Sequence, residues 1–138
     1  EKVLMEETCC VSSNAIEETY AFSSIIIEKL KDLNSSVMYD MEKYHPKAWD
    51  IFVEHKRGYV YHCIKTNLER GLKEGLYRSN LNPDIVAKLY SEKIDMLFDK
   101  DLFPNNTYTF TEVYSEMMRY HLKGIVSIEG LKYLKEKE

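Results

Sequence analysis

The chain has 138 residues, enough for one domain, and its 44% hydrophobic and 30% charged residues are typical of a soluble globular protein. A net charge of −4 speaks against a domain that binds nucleic acid directly, because such domains more often carry a basic face. Only 5 Gly and 3 Pro interrupt the chain, which favours long helices, and no apolar run approaches the roughly 20 residues of a membrane-spanning helix.

Cys9, Cys10 and Cys63 are the cysteines of the chain. Their odd number, without a disulfide-type spacing, indicates a reducing compartment, and we interpret them as buried thiols of a cytoplasmic protein. The N-terminal sequence EKVLMEET lacks the basic start and the apolar core of a signal peptide. Because the chain begins with Glu1 rather than Met, we expect it to be a piece of a longer protein.

The first predicted elements are two helices separated by a polar break. Residues Glu1 to about Cys10 are predicted to be the end of a helix whose start is missing. Ser12, Ser13 and Asn14 interrupt it, and Asn14 is a good N-cap residue with Glu17 three positions later. The next helix is predicted over residues 15–33, where apolar side chains recur at spacings of three and four.

The remaining predicted helices span residues 37–44, 47–73, 83–98, 111–126 and 128–135. Pro46 is suited to the first turn of the helix that follows it. A glycine-rich corner follows that helix, and then Asn82, Pro83 and Asp84 combine a cap, a proline and an acid at a helix start. Thr111 is the predicted cap of the helix over 111–126, with Phe110 as a hydrophobic staple before it. Without strand-like alternation anywhere, the sequence predicts a single all-α domain over 1–138, an orthogonal helical bundle.

Two motifs occur in order along this helical pattern: MYDMEKYHPKAW, from Met38 to Trp49, and LERGLKEGLYRSNLNP, from Leu68 to Pro83. Together with the order of helices, they resemble the C-terminal regulatory domain of the TetR family of transcriptional regulators. The resemblance implies an effector-sensing and dimerisation domain. DNA would be bound through an N-terminal helix-turn-helix head of roughly fifty residues that is not in this chain, with residues 1–12 as the remnant of the linking helix.

The resemblance also implies a homodimer. In the family, the last two long helices of each subunit pair across a two-fold axis into a four-helix bundle, and the matching segments here are 83–98 and 111–126. Their wide apolar faces are consistent with such a partner surface. The alternative is that these side chains are all core within one subunit. The candidate interface residues are Val86, Leu89, Lys93, Leu97, Tyr114, Met118, Leu122 and Ile125.

A ligand cavity among the middle helices is the functional site that the resemblance implies. Aromatic and methionine side chains around a few polar groups suit a small apolar or aromatic effector. The alternative is that these residues are ordinary core. Lys56 lies within an apolar stripe, where it either extends its amine to water, which we favour, or meets an anionic ligand. The candidate ligand-binding residues are Tyr20, Ser24, Met38, Met41, Phe52, Lys56, Tyr59, Cys63 and Tyr90.

Motifs for catalysis, cofactors or metals are not recognisable in the sequence. It has no phosphate loop, nucleophile elbow or metal motif, and His55 and His62 lie seven positions apart on one helix, too far for an easy shared metal. His121 is expected to be a packed or interface histidine. We therefore predict a non-enzymatic sensor without a cofactor.

In this hypothesis, the effector repositions Val3–Cys10 and the helix over 39–44, and so changes the spacing of two DNA-binding heads. A stand-alone helical interaction module, without ligand or DNA, is the main alternative, and a helical enzyme is the next.

Overall fold

A series of α-helices makes up the computed structural model, which describes residues 12–30, 35–97, 99, 101–104 and 106–137, without the side chains of residues 29–30, 35–38 and 56. The helices in chain order are α1 (Ala15–Leu30), α2 (Ser35–Tyr44), α3 (Pro46–Glu74), α4 (Pro83–Met96), α5 (Phe110–Ile125) and α6 (Ile128–Lys137). Within the described residues the all-α prediction is confirmed. The predicted helix over Glu1–Cys10 lies outside them, and the orthogonal arrangement of a TetR-like bundle remains a prediction.

Side-chain caps and prolines begin the helices where the sequence supplies them. Asn14 caps α1, its Oδ1 accepting a hydrogen bond of 2.9 Å from the amide of Glu17. Asn82 caps α4 in the same way, and Pro83 occupies the first position of that helix. The predicted cap of α5 is wrong: Thr109, not Thr111, accepts a hydrogen bond of 3.1 Å from the amide of Glu112.

The corner between α3 and α4 is closed by a left-handed glycine. Gly75 has φ 75°, a conformation that favours glycine, and the amides of Gly75 and Leu76 donate to the last carbonyls of α3. Beyond it Tyr77 turns inward and is almost fully buried. The backbone there forms a single antiparallel bridge between Tyr77 and Val126, so the corner is fastened to the end of α5.

The core lies between α1, the C-terminal half of α3, α4 and α5. Helix α3 packs against α1, α2 and α4, and α1 packs against α5. Helix α6 closes one end, where Ser127 donates from its amide to Leu76 O at 2.9 Å and from its hydroxyl to Gly75 O at 2.7 Å. The buried apolar side chains include Ile16, Leu68, Tyr77, Ala87, Tyr90, Tyr114, Met117, Leu122 and Leu134.

None of the helices that the structure describes combines the length and the apolar character needed to cross a membrane.

Candidate functional site

A buried polar cluster joins the start of α1 to the end of α3; it consists of Glu18, Thr19, Asn67, Arg70 and Tyr77. Only 3% of Glu18 and 2% of Asn67 are exposed. The Asn67 amide donates to Glu18 Oε1 at 3.0 Å, and the Tyr77 hydroxyl donates to Asn67 Oδ1 at 2.7 Å. Burial raises the pKa of the Tyr77 hydroxyl, which therefore stays protonated as a donor. Polar side chains buried this deeply are stable because they satisfy one another.

Arg70 carries the charge that balances Glu18. Its Nη1 lies 2.6 Å from Glu18 Oε2, and its Nε lies 3.0 Å from Glu74 Oε2. Its Nη2 donates to the carbonyl oxygen of Ser12 at 2.8 Å. Glu74 in turn accepts a hydrogen bond of 2.7 Å from the amide of Ala15. Arg70 therefore attaches the residues that lead into α1 to the end of α3.

The small cavity lies between α1, α5 and α6 and has a volume of about 340 Å³. Apolar and aromatic side chains form most of its wall, and serine hydroxyls interrupt it. Ser23 and Ser24 donate to backbone carbonyls of their own helix, at 2.9 and 3.1 Å. The lining residues are Tyr20, Ser23, Ser24, Ile27, Tyr114, Ser115, Met118, Arg119, Leu122, Lys123 and Leu134.

Helix α6 is fastened to α1 beside the small cavity. The Glu17 carboxyl accepts a hydrogen bond of 2.6 Å from the Tyr133 hydroxyl and two hydrogen bonds, of 2.9 and 3.0 Å, from Lys137 Nζ. These hydrogen bonds, that of Tyr133 foremost, lower the pKa of the Glu17 carboxyl. The Lys137 amine also lies 4.8 Å from the centroid of the Tyr20 ring, which lines the cavity. The C-terminal helix is thus held in place as one wall of the small cavity.

The large groove, of about 720 Å³, lies between α4, the following loop and α5. Lys93 Nζ lies 4.9 Å from the centroid of the Tyr120 ring and joins its two helical walls. Unlike the small cavity, the large groove includes both acidic and basic side chains. Its lining residues include Lys93, Met96, Leu97, Phe103, Tyr108, Glu112, Val113, Glu116, Met117, Arg119 and Tyr120.

Two buried tyrosines and a histidine form the contact between α4 and α5. The hydroxyls of Tyr90 and Tyr114 lie 3.2 Å apart, and the His121 ring packs on Tyr90 with centroids 5.0 Å apart. Burial raises the pKa of both tyrosines. Burial, with a smaller contribution from Lys93, lowers the pKa of His121 to about 4, so this imidazole is neutral near pH 7. The prediction of a packed histidine agrees with this contact.

Those predicted ligand-binding residues that the structure describes are divided between a cavity lining, the core and the surface. Tyr20 and Ser24 line the small cavity. Tyr90 is a buried core residue, Tyr59 and Cys63 are partly buried on α3, and the side chains of Met38 and Lys56 lie outside the described part of the chain. Met41, on α2, is partly buried, and Phe52, on α3, is exposed.

The predicted dimer residues divide into core and surface. The apolar stripe of α5 packs inward against its own chain, which is a correction to the expectation of a partner surface there. On α4, Leu89 is 57% exposed, with Ile85 at 54% and Met96 at 49%. Val86 and Lys93 are partly exposed. The predicted interface residues that are instead buried in the single chain are Leu97, Tyr114, Met118, Leu122 and Ile125.

Compared with known proteins, the chain matches no family model, no curated protein and no solved structure. The TetR resemblance therefore rests on the two sequence motifs and the order of the helices, and it stays a prediction. Within the described residues, no group of three or more His, Cys, Asp or Glu side chains is placed to hold a metal ion. Cys63 is an unbridged, partly buried thiol, and Cys9 and Cys10 lie outside the described residues.

Sequence reasoning missed the cationic edge of the small cavity and the polar cluster. Arg119 and Lys123 are four positions apart on α5, on one side of the apolar stripe, so their shared edge was readable from the spacing. No sequence spacing indicates that Glu18, Asn67 and Arg70 are in contact, because this contact depends on which helices pack against each other.

Proposed function

We propose that the chain is an effector-binding and self-association domain of a cytoplasmic transcriptional regulator similar to the TetR family. The observation that supports the proposal best is the small cavity, because α1 forms one of its walls and also carries part of the polar cluster. The cavity volume of about 340 Å³ lies within the range of small-molecule sites, at its lower end. Its mostly apolar wall suits a small apolar or aromatic effector.

The proposed mechanism transmits occupancy of the small cavity along α1. Tyr20, Ser23 and Ser24 face the cavity, and Glu18 and Thr19, less than two turns away, belong to the polar cluster. A ligand that prefers one position of α1 shifts the population of that position. Through Arg70, the shift reaches the carbonyl of Ser12 and the segment that leads into α1. DNA would be contacted by a separate head, consistent with the net charge of −4 of this chain.

A stabilisation screen tests this function. Wild type and Ser24→Trp are heated with a panel of small apolar and aromatic compounds, with Thr66→Trp, on the exposed side of α3, as the matched control. A ligand at a concentration of about 100 Kd stabilises the folded state by roughly 2.7 kcal/mol. We expect stabilising compounds to act on wild type and Thr66→Trp but not on Ser24→Trp, whose indole occupies the cavity mouth. Equal stabilisation of all three proteins would remove the small cavity from the proposal.

The second candidate function is a dimeric interaction module without an effector. The exposed stripe of α4 favours it, because Ile85, Leu89 and Met96 repeat at four and seven positions along one helical face. We propose that this stripe, with the adjacent large groove, forms the two-fold self-association face in either candidate function. Sedimentation of wild type, Leu89→Glu and the surface control Thr66→Glu separates the outcomes. Dimers for wild type and control with a monomeric Leu89→Glu would support the face; a monomeric wild type would refute it.

A further inference from the structure

Charge is distributed unevenly around the small cavity. Among the described residues, those that line it include Arg119 and Lys123 but no Asp or Glu. The whole chain has 23 acidic and 19 basic residues, so a lining with cations alone runs against its composition. The large groove, which shares Arg119 with the small cavity, also has Glu112 and Glu116 in its lining.

Arg119 and Lys123 lie on the same edge of α5, four positions apart, where like charges repel one another. Glu116 relieves part of that repulsion, since its Oε2 lies 2.5 Å from Arg119 Nη1. Glu116 contacts only one nitrogen of the guanidinium in this ion pair. A guanidinium has five N–H donors in a planar fork, so Arg119 retains donors for a second anion, and the Lys123 ammonium adds three more.

The two serines of α1 in the cavity wall offer no comparable donors. The hydroxyls of Ser23 and Ser24 already donate to backbone carbonyls, and the raised pKa of Tyr114 reflects its buried surroundings. The cavity therefore favours the charged group of a ligand at the edge formed by α5. It favours an uncharged apolar ring or chain inside, against Tyr20, Ile27 and Leu134.

We infer that the small cavity binds a small carboxylate with an aromatic or short aliphatic body, its carboxylate held between Arg119 and Lys123. The inference rests on the proposed function, because it specifies the ligand class of the same cavity. The volume of about 340 Å³ limits the ligand to one ring or a short chain. Glu116 competes with the ligand for Arg119, so it sets the affinity for carboxylates.

The test compares two probes of equal size by titration calorimetry at low salt: 3-phenylpropionate and its neutral amide, 3-phenylpropanamide. The proteins are wild type, Arg119→Met, Lys123→Met and Glu116→Gln. Lys132→Met, which removes the same charge at an exposed position on α6 outside the cavity lining, is the control. All the substituted side chains are exposed, so each variant is expected to fold, and circular dichroism checks this.

We expect wild type to bind the carboxylate at least ten-fold more tightly than the amide. Arg119→Met and Lys123→Met should each weaken carboxylate binding about ten-fold, the usual effect of a lost charge-assisted hydrogen bond, and leave amide binding unchanged. Glu116→Gln should strengthen carboxylate binding, a gain that a merely structural role of the ion pair does not predict. Lys132→Met should match wild type.

Two results overturn the inference in different ways. If wild type binds the amide as tightly as the carboxylate, and Arg119→Met and Lys123→Met change neither, the ligand class is wrong while the cavity remains an effector site. If neither probe binds wild type, the ligand class is also wrong, and the stabilisation screen with Ser24→Trp decides separately whether the small cavity is an effector site.

Discussion

Replacing Arg70 with Met removes the only cation that contacts the buried carboxylate of Glu18 within the described part of the chain. Methionine retains an apolar stem of similar length, so the change is mainly one of charge and hydrogen bonding. Breaking a fully buried ion pair by removing one partner is typically destabilising by about 3–5 kcal/mol. Because 28% of the Arg70 side chain is exposed, water screens part of the interaction, and we expect a loss of about 2–3 kcal/mol in the free energy of unfolding.

Urea denaturation followed by circular dichroism measures this loss. Arg57→Met is the matched control, because Arg57 also contacts two carboxylates but lies on the surface, where we expect little change. The double variant Glu18→Gln/Arg70→Met should recover part of the stability, since it removes the uncompensated charge. If Arg70→Met is no less stable than Arg57→Met, the polar cluster does not hold α1 to α3 as described.

Two further predictions concern the corner and the partly buried histidine. Gly71→Ala places a Cβ 2.1 Å from the ring of Tyr77, which the polar cluster fixes, so the free energy of unfolding should fall by about 3 kcal/mol. The Cβ of the control Gly58→Ala meets no neighbour, and its free energy of unfolding should rise by up to ~1 kcal/mol. Urea denaturation of both variants measures the difference. The pKa of His121 is lowered to about 4, so the unfolded state binds its proton first and stability falls as pH decreases from about 6.5 to about 4, by at most ~3 kcal/mol. His121→Gln should lose this pH dependence, and an unchanged pH profile would refute the assignment.

Helix positions were predictable because the sequence marks their ends locally. Asn14, Asn82 and Pro46 begin helices at the positions expected from their side-chain chemistry. The cap of α5 is also marked locally: Thr109 has Glu112 three positions later, the capping-box spacing, and Thr111 lacks this partner.

The packing of helices against one another was harder to predict than the position of each helix in the sequence. Periodicity shows that Tyr114, Met118 and Leu122 share one face of α5, but it does not show whether that face meets its own chain or a partner. The structure packs it inward, so the prediction of a partner surface there is replaced by the exposed stripe of α4. For the same reason the sequence prediction groups Tyr20 and Ser24 with residues of α3, whereas the cavity they line is completed by α5 and α6.

Amide hydrogen exchange at the start of α1 reports whether occupancy of the small cavity reaches the polar cluster. Exchange in residues 13–20 is measured with and without the compound that stabilises wild type most in the screen. If occupancy of the small cavity is transmitted along α1, exchange in this segment slows in wild type and is unaffected in Ser24→Trp. Protection confined to α4 and α5, or protection of residues 13–20 that persists in Ser24→Trp, would show that occupancy of the small cavity is not transmitted along α1.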